Sequence, residues 1–156
     1  MNEAHVRIIT SLPLFAGYTP AGAGFLLESG EVKEYTAGAV LCREGDAPTF
    51  VLLVLSGKVQ VFVERDGRSL DLTEAGPGAI LGELAVLCGI PRSASLRASE
   101  KLVVLEWSGE GFRRMLLRNA TLSERILRQS LSTLIEKERA LISSLCVARE
   151  GEARSS

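Results

Sequence analysis

Residues 82–98, GELAVLCGIPRSASLRA, place a carboxylate and a guanidinium nine positions apart around a short apolar turn. Gly82 leaves room for a ligand to approach the backbone, and the residues after it can begin a short helix whose free N–H groups suit an anion. Arg92 carries a permanent charge on a forked donor group, and Ser93 adds a hydroxyl or backbone donor beside it. Arg92 and Ser93 together predict a site for one anionic group.

Glu83 requires a different partner from the one that Arg92 requires. An ionised carboxylate only accepts hydrogen bonds, so it would repel a phosphate and suits a hydroxyl that donates. A ribose that carries a phosphate offers both groups, and in a 3′,5′-cyclic nucleotide the only free ribose hydroxyl is the 2′-OH. The alternative is a surface salt bridge between Arg92 and Glu83, which would contribute only about 0–1 kcal/mol and would not need Gly82 or Ser93.

The same stretch resembles the phosphate-binding cassette of cyclic nucleotide-binding domains, the family of the catabolite activator protein and of protein kinase A regulatory subunits. The resemblance continues through Val40–Asp46 and Val54–Val59 and into Leu102–Trp107 followed by Phe112, so it covers residues 10 to 148. It implies a mostly β fold, namely an eight-stranded β-roll similar to a jelly-roll barrel, with an N-terminal helix and a long C-terminal helix.

The resemblance also implies which residues bind the ligand. Phosphate and ribose would contact the cassette at Gly82, Glu83, Leu84, Ala85, Arg92, Ser93 and Ala94. The base would contact Val61, Leu72 and Thr73 on strands, and Lys137 and Glu138 on the C-terminal helix. The three strand residues would serve equally well as ordinary barrel interior.

Glu138 bears on the choice between the two common cyclic nucleotides. A carboxylate there would accept hydrogen bonds from the N1–H and N2–H edge of guanine, whereas adenine presents an acceptor at N1, which favours cGMP. The serine after the cassette arginine and the frequency of ligands in the family favour cAMP, which is the first expectation. Glu138 could equally be a partner of Lys137 or Arg139, across a dimer or on a solvated face.

The hydrophobic pattern agrees with a β-roll. Short apolar runs bounded by Gly, Asp and Pro predict strands at Val32–Tyr35, Val40–Cys42, Phe50–Leu55, Lys58–Val63, Leu70–Thr73, Ala94–Ala98 and Leu102–Trp107. Asp66-Gly67 predicts a hairpin turn between two of these strands. Helical periodicity appears only at Pro20–Ser29, Gly109–Leu117 and Thr121–Val147, where Thr121 and Glu124 form a capping box.

The long helix carries a stripe typical of a two-stranded coiled coil. Leucines recur at alternating steps of four and three residues with a polar break at Glu138, namely Leu127, Leu131, Leu134, Leu141 and Leu145. We expect a parallel homodimer through this stripe, and the alternative is that the stripe packs on its own domain. Residues 149–156 predict a polar, disordered tail.

The composition predicts one domain over residues 1–148, with the β-roll at about 30–107 and the C-terminal helix at about 121–147. A chain of 156 residues with 46% hydrophobic content can bury its core without disulfides or metals. The net charge of −1 gives no support for nucleic-acid binding. The apolar runs are too short to span a membrane and no signal peptide is evident, so a cytoplasmic location is expected.

Cysteine and histidine usage suggests neither a metal site nor catalysis. The three cysteines, Cys42, Cys88 and Cys146, have no ligand spacing and are predicted to be small buried apolar residues. The one histidine, His5, falls in an N-terminus expected to be mobile, and no nucleophile has a histidine base nearby. We therefore expect a protein that is not an enzyme and has no cofactor.

The sequence predicts a stand-alone sensor that binds cAMP or cGMP and moves its C-terminal helix, with an effector protein that the sequence does not identify. The hinge is expected around Ser108–Asn119. One rival is a ligand-free interaction or dimerisation module on the same fold. The other is a truncated transcription regulator.

Overall fold

The computed structural model describes residues 2–155 and begins with two helices. α1 spans Glu3–Ser11 and α2 spans Pro20–Glu28, with a 3₁₀ turn at Pro13–Phe15 between them. The expectation of a mobile N-terminus was wrong, because the Asn2 side chain caps α1 by accepting a hydrogen bond from the Ala4 N–H at 2.9 Å. The helix also buries two aliphatic side chains against the core, and that burial was not evident from so short a periodic segment.

Eight strands form two four-stranded antiparallel sheets, which confirms the predicted β-roll. The strands are β1 Glu31–Tyr35, β2 Val40–Cys42, β3 Phe50–Ser56, β4 Val59–Arg65, β5 Arg68–Ala75, β6 Ile80–Leu81, β7 Ser95–Ala98 and β8 Leu102–Ser108. The first sheet has the order β1-β8-β3-β6 and the second has the order β2-β7-β4-β5. Strand β6 was not predicted, since two residues are too few for an alternating pattern.

The β4–β5 hairpin has the predicted two-residue turn and one irregularity. Asp66 and Gly67 take φ values of 53° and 73°, as a type I′ turn requires. The register passes from Val61 opposite Thr73 to Phe62 opposite Asp71, so Leu72 is the extra residue of a β-bulge. The bulge lies on an edge strand whose residues 68–74 are all exposed.

Two apolar clusters hold the elements together. The larger joins the N-terminal helices to the first sheet and to the C-terminal helices, and the indole of Trp107 packs there 5.7 Å from the ring of Phe112. The smaller lies between the two sheets around Leu52 and Val104, which are fully buried. Each such side chain contributes roughly 1.5–3 kcal/mol, so both sheets are firmly positioned relative to the helices.

The short helix α3, Glu83–Cys88, belongs to the cassette, and two further helices complete the chain. α4 spans Gly109–Arg118 and α5 spans Ala120–Ser155. The expected capping role of Thr121 was wrong, because Asn119 lies two residues earlier and its side-chain oxygen accepts a hydrogen bond from the Leu122 N–H at 3.0 Å. Within residues 2–155, no helix combines the length and apolar character needed to cross a bilayer.

The C-terminal helix is longer than predicted. It continues through residues 148–155, so the expected end at Val147 and the disordered tail were wrong, and Ser156 lies outside the described residues. The segment contains Ala, Arg and Glu, which favour helix, and a single glycine at 151 costs only about 1 kcal/mol. Residues 131–155 are all exposed and extend about 37 Å at 1.5 Å per residue.

Candidate functional site

A cavity of about 650 Å³ opens between the second sheet, the cassette and α5. All four strands of that sheet contribute residues to its wall, and the β5–β6 loop, residues 76–79, forms one edge. The short helix α3, Glu83–Cys88, begins at the floor of the cavity. The volume falls within the range typical of small-molecule sites.

Gly82 is the residue that allows the cassette to turn into α3. Its φ of +84° is in the left-handed region, which favours glycine. A Cβ added at this position would collide with the guanidinium of Arg92. Both the backbone conformation and the close approach of Arg92 therefore require glycine here.

Arg92 is buried with most of its hydrogen-bonding capacity unused. Arg92 is 5% exposed. Its Nη1 donates to the Gly82 carbonyl at 3.0 Å, and its Nη2 donates to the Phe50 carbonyl at 2.5 Å. Nε has no partner. A guanidinium has five N–H donors, so three remain without a protein acceptor, and no carboxylate of residues 2–155 pairs with it. A buried, unpaired cation of this kind calls for an anion in the cavity.

The loop after β2 fixes the backbone of Arg92. The Arg92 N–H donates to the Asp46 carbonyl at 2.9 Å, and the Gly45 N–H donates to the Arg92 carbonyl at 2.8 Å. The Asp46 side chain closes the loop by accepting from the Arg43 N–H at 2.8 Å. The ring of Phe50 lies beneath the guanidinium, with 4.6 Å between its centroid and Cζ. The sequence alone indicated no function for this loop, and the structure shows that it positions the Arg92 guanidinium.

Glu83 is 8% exposed and stands at the first position of α3. Its carboxylate accepts no hydrogen bond from residues 2–155 and forms no ion pair with Arg92. The alternative of a surface salt bridge between the two residues was therefore wrong. The buried carboxylate is an acceptor facing the same cavity as the unpaired N–H groups of Arg92.

The structure brings most of the predicted ligand contacts together. The predicted residues that line the cavity are Gly82, Glu83, Leu84, Ala85, Arg92, Ser93, Ala94, Val61, Thr73 and Lys137. Leu72 does not line it: this residue is the extra residue of the bulge, and it is 59% exposed. Glu138 does not line it either, because it follows Lys137 by one residue and lies about 100° further around the helix.

Sequence reasoning missed four cavity residues on α5. Gln129, Ser130, Thr133 and Leu134 share one face of the helix with Lys137. Gln129 Nε2 donates to the Gly78 carbonyl at 3.1 Å, which ties α5 to the β5–β6 loop. The helical spacing back from Lys137 was the signal that could have identified them.

The predicted burial of all three cysteines was wrong for two of them. Cys42 is buried in the cavity wall, where desolvation raises the pKa of its thiol against the opposing effect of the Arg92 charge. Cys88 and Cys146 are exposed, because Cys88 is the last residue of α3 and Cys146 lies in the part of α5 whose residues are all exposed. No cluster of three or more His, Cys, Asp or Glu side chains suited to a metal ion occurs within residues 2–155.

Two arginines connect the cassette and the N-terminal turn to the C-terminal helices. Arg113 on α4 donates from Nη2 to the Val86 carbonyl of α3 at 2.5 Å. Arg125 on α5 donates from Nη1 to the carbonyl of Ala16 at 2.8 Å. The first contact ties α3 to α4, and the second ties α5 to the N-terminal turn.

Comparison with known proteins identifies relatives of the whole roll. Residues 32–119 match the family model of the cyclic nucleotide-binding domain. The catabolite activator protein of Thermus thermophilus superposes with a TM-score of 0.72 at 28% identity, over 83% of this chain and 61% of that one. The regulatory domain of protein kinase A from Toxoplasma gondii in complex with cAMP superposes with a TM-score of 0.59 at 27% identity, over 72% of this chain and 43% of that one.

One relative found by sequence is a longer protein than this chain. An acetyltransferase of Mycolicibacterium smegmatis is 32% identical over 111 residues, which is 70% of this chain and 32% of that protein. The chain spans about a third of the length of the curated relatives that it matches.

Proposed function

The chain belongs to the family of cyclic nucleotide-binding domains, and on that basis we propose that it is a regulatory module that binds a 3′,5′-cyclic nucleotide under α5. The observation that carries the proposal is the buried guanidinium of Arg92, with three N–H groups that no protein acceptor uses. A cyclic phosphate offers two exocyclic oxygens and one negative charge, which would satisfy those donors. The role of the chain is regulatory and not catalytic in this proposal.

The remaining groups of the nucleotide have matching partners. The phosphate lies against Arg92 and Ser93, and the ribose 2′-OH donates to the unpaired carboxylate of Glu83. The base extends between the strand residues Val61 and Thr73 and the cavity face of α5. Val61, Leu96 and Leu134 offer apolar surface to a purine ring, and Thr73, Gln129 and Thr133 offer polar groups to its edge.

We propose cAMP as the preferred ligand and cGMP as the alternative. Glu138 was the residue expected to favour guanine, and it lies on a face of α5 away from the cavity of its own chain. The cAMP complex of the protein kinase A regulatory domain supports adenine among the relatives of this fold.

Binding would be transmitted through α3 to α4. A phosphate that draws on the Arg92 donors competes with the Gly82 carbonyl, which sits at the start of α3, and Arg113 links the Val86 carbonyl of α3 to α4. α4 coincides with the hinge predicted at Ser108–Asn119. The ligand can shift the helices only through different affinities for their two arrangements.

α5 would provide the output surface of the module. Five leucines of the predicted stripe are 39–62% exposed, a high exposure for large aliphatic side chains on one helix face. A parallel homodimer through Leu127, Leu131, Leu134, Leu141 and Leu145 would cover them. The same exposed stripe favours the second candidate function, an interaction module that no longer binds a ligand.

The 2′-OH contact gives a test of the site. Wild type should bind cAMP more tightly than 2′-deoxy-cAMP by roughly 10- to 100-fold, because a hydrogen bond to a charged group contributes about 1.5–3 kcal/mol. Glu83→Ala should bind both nucleotides with similar, weakened affinity in calorimetric titrations. Glu74→Ala is the control, since it removes a carboxylate that also lines the cavity but pairs with Lys58 at 3.6 Å. Discrimination that survives in Glu83→Ala would contradict the proposed ribose contact.

A further inference from the structure

Loop 43–46, which lies between β2 and β3, is held from outside the cavity by a forked ion pair. The Arg65 guanidinium donates from Nη1 to Glu44 Oε2 at 2.8 Å and from Nη2 to Glu44 Oε1 at 2.9 Å. Two parallel hydrogen bonds fix the orientation of the two side chains as well as their separation. Arg65 is the last residue of β4, beside the hairpin turn, so the fork ties the loop to the β4–β5 hairpin.

The main chain of Glu44 is anchored as well. Its N–H donates to Ser95 Oγ at 2.8 Å, and Ser95 on β7 is 4% exposed. The hydrogen bonds from Arg65 hold the pKa of the Glu44 carboxyl below its ordinary value, so the carboxylate stays ionised at neutral pH. Glu44 is therefore fixed to two neighbouring strands, to β4 through its side chain and to β7 through its backbone.

The two residues after Glu44 carry the backbone of Arg92. The Gly45 N–H donates to the Arg92 carbonyl and the Arg92 N–H donates to the Asp46 carbonyl, so both main-chain groups of Arg92 are used on this loop. A guanidinium binds a phosphate more tightly when its donors are already aimed at the ligand, because ordering a long side chain upon binding costs free energy. A shift of Glu44 would move the backbone from which the Arg92 guanidinium reaches the cavity.

The stability of the fold does not explain the fork. Both side chains are partly solvated, with exposed fractions of 55% for Arg65 and 35% for Glu44, and ion pairs this exposed contribute little to the free energy of unfolding. The Arg97–Asp71 pair offers a comparison on the same sheet, since it joins β7 to β5 at 2.6 Å and does not involve loop 43–46. An effect on ligand affinity that the fork has and the Arg97–Asp71 pair lacks would therefore come from the loop.

We propose that Arg65 and Glu44 are positioning residues of the ligand site, which act on Arg92 through loop 43–46. Neither side chain lines the cavity, so neither contacts the ligand. The fork holds the loop against the hairpin, and the loop holds Arg92 with its unused N–H groups directed into the cavity. This inference deepens the proposed function and rests on it for the identity of the ligand.

Exchange of the two charges tests the fork through calorimetric titration with cAMP. Glu44→Arg should weaken binding by about tenfold, because two guanidinium groups repel and release the loop. The double variant Glu44→Arg/Arg65→Glu should return the dissociation constant to within about threefold of wild type, since an exchanged pair attracts equally. Asp71→Arg is the matched control, because it makes the same change in net charge opposite Arg97 and should alter the constant by less than about threefold. Similar affinities of Glu44→Arg and Asp71→Arg, or a double variant no tighter than Glu44→Arg, would overturn the proposal.

Hydrogen exchange of the Arg92 backbone N–H measures the hold of the loop without any nucleotide. The Asp46 carbonyl protects this N–H, and its exchange should be about tenfold faster in Glu44→Arg and return to the wild-type rate in the double variant. In Asp71→Arg the rate should stay unchanged, with a Tm close to that of Glu44→Arg, which separates local release of the loop from a general loss of stability. Weakened cAMP binding in Glu44→Arg without faster exchange would overturn the proposal. If wild type binds no cAMP, the proposed function fails alone, and the exchange rates still decide whether the fork holds Arg92.

Discussion

Replacement of Arg92 by Leu should remove nearly all nucleotide affinity while leaving the fold intact. The guanidinium has three unused N–H groups in the cavity, and the two exocyclic oxygens of a cyclic phosphate would engage at least two of them. Hydrogen bonds to charged groups contribute about 1.5–3 kcal/mol each, so the loss is about 3–6 kcal/mol. The dissociation constant should therefore rise by about 10²- to 10⁴-fold.

The assay is calorimetric titration with cAMP, paired with thermal unfolding of the same samples. Leu fills the space beside Phe50 and removes an unpaired buried charge, but the Gly82 and Phe50 carbonyls lose their donors, so we expect Tm to fall by several degrees while the protein stays folded. Arg97→Leu is the matched control, because Arg97 lies on the next strand, stacks on Phe62 and pairs with Asp71 at 2.6 Å outside the cavity. Affinity within tenfold of wild type in Arg92→Leu would refute the reasoning.

Three further predictions follow from the same geometry. Gly82→Ala should lower Tm by several degrees, since a left-handed backbone costs a non-glycine residue about 1–2 kcal/mol. The added Cβ should also displace the Arg92 side chain and weaken cAMP binding more than tenfold. Binding within threefold of wild type would contradict this. At pH 8 a thiol reagent should modify Cys88 and Cys146 rapidly and Cys42 only after denaturation. Burial shields the Cys42 thiol and raises its pKa, which lowers the fraction present as thiolate. Rapid modification of all three thiols would show that the cavity wall is open at Cys42. Trp107 is the only tryptophan and contacts α4, so its fluorescence should change when cAMP is added to wild type and stay constant in the arginine variant; an unchanged signal in wild type would argue against movement of α4.

The cassette could be predicted because its chemistry is local. Gly82, Glu83 and Arg92 lie within eleven consecutive positions, and each residue type has a distinct role toward an anion or a hydroxyl. The hairpin at Asp66-Gly67 was predictable for the same reason, since positive φ at two adjacent positions selects few residue pairs. Local constraints of this kind are visible without tertiary contacts.

The incorrect expectations concern features that tertiary context decides. Leu72 was assigned to the cavity by its resemblance to the family's base-pocket position, and here it is the bulged residue of an exposed edge strand. The cavity face of α5, with Gln129 and Thr133, depends on the angle at which the helix crosses the roll. The end of α5 was placed too early because the polar composition after Val147 is typical of disordered tails, although its Ala, Arg and Glu residues favour helix.

The unused donors of Arg92 make one measurement decisive for the central claim. Nucleotide-stripped, refolded protein is titrated calorimetrically with cAMP and, in parallel, with cGMP. We predict micromolar or tighter binding of at least one nucleotide with one site per chain, and tighter binding of cAMP. No heat and no shift in Tm with either nucleotide would contradict the account and would favour an interaction module that has kept the roll without its ligand.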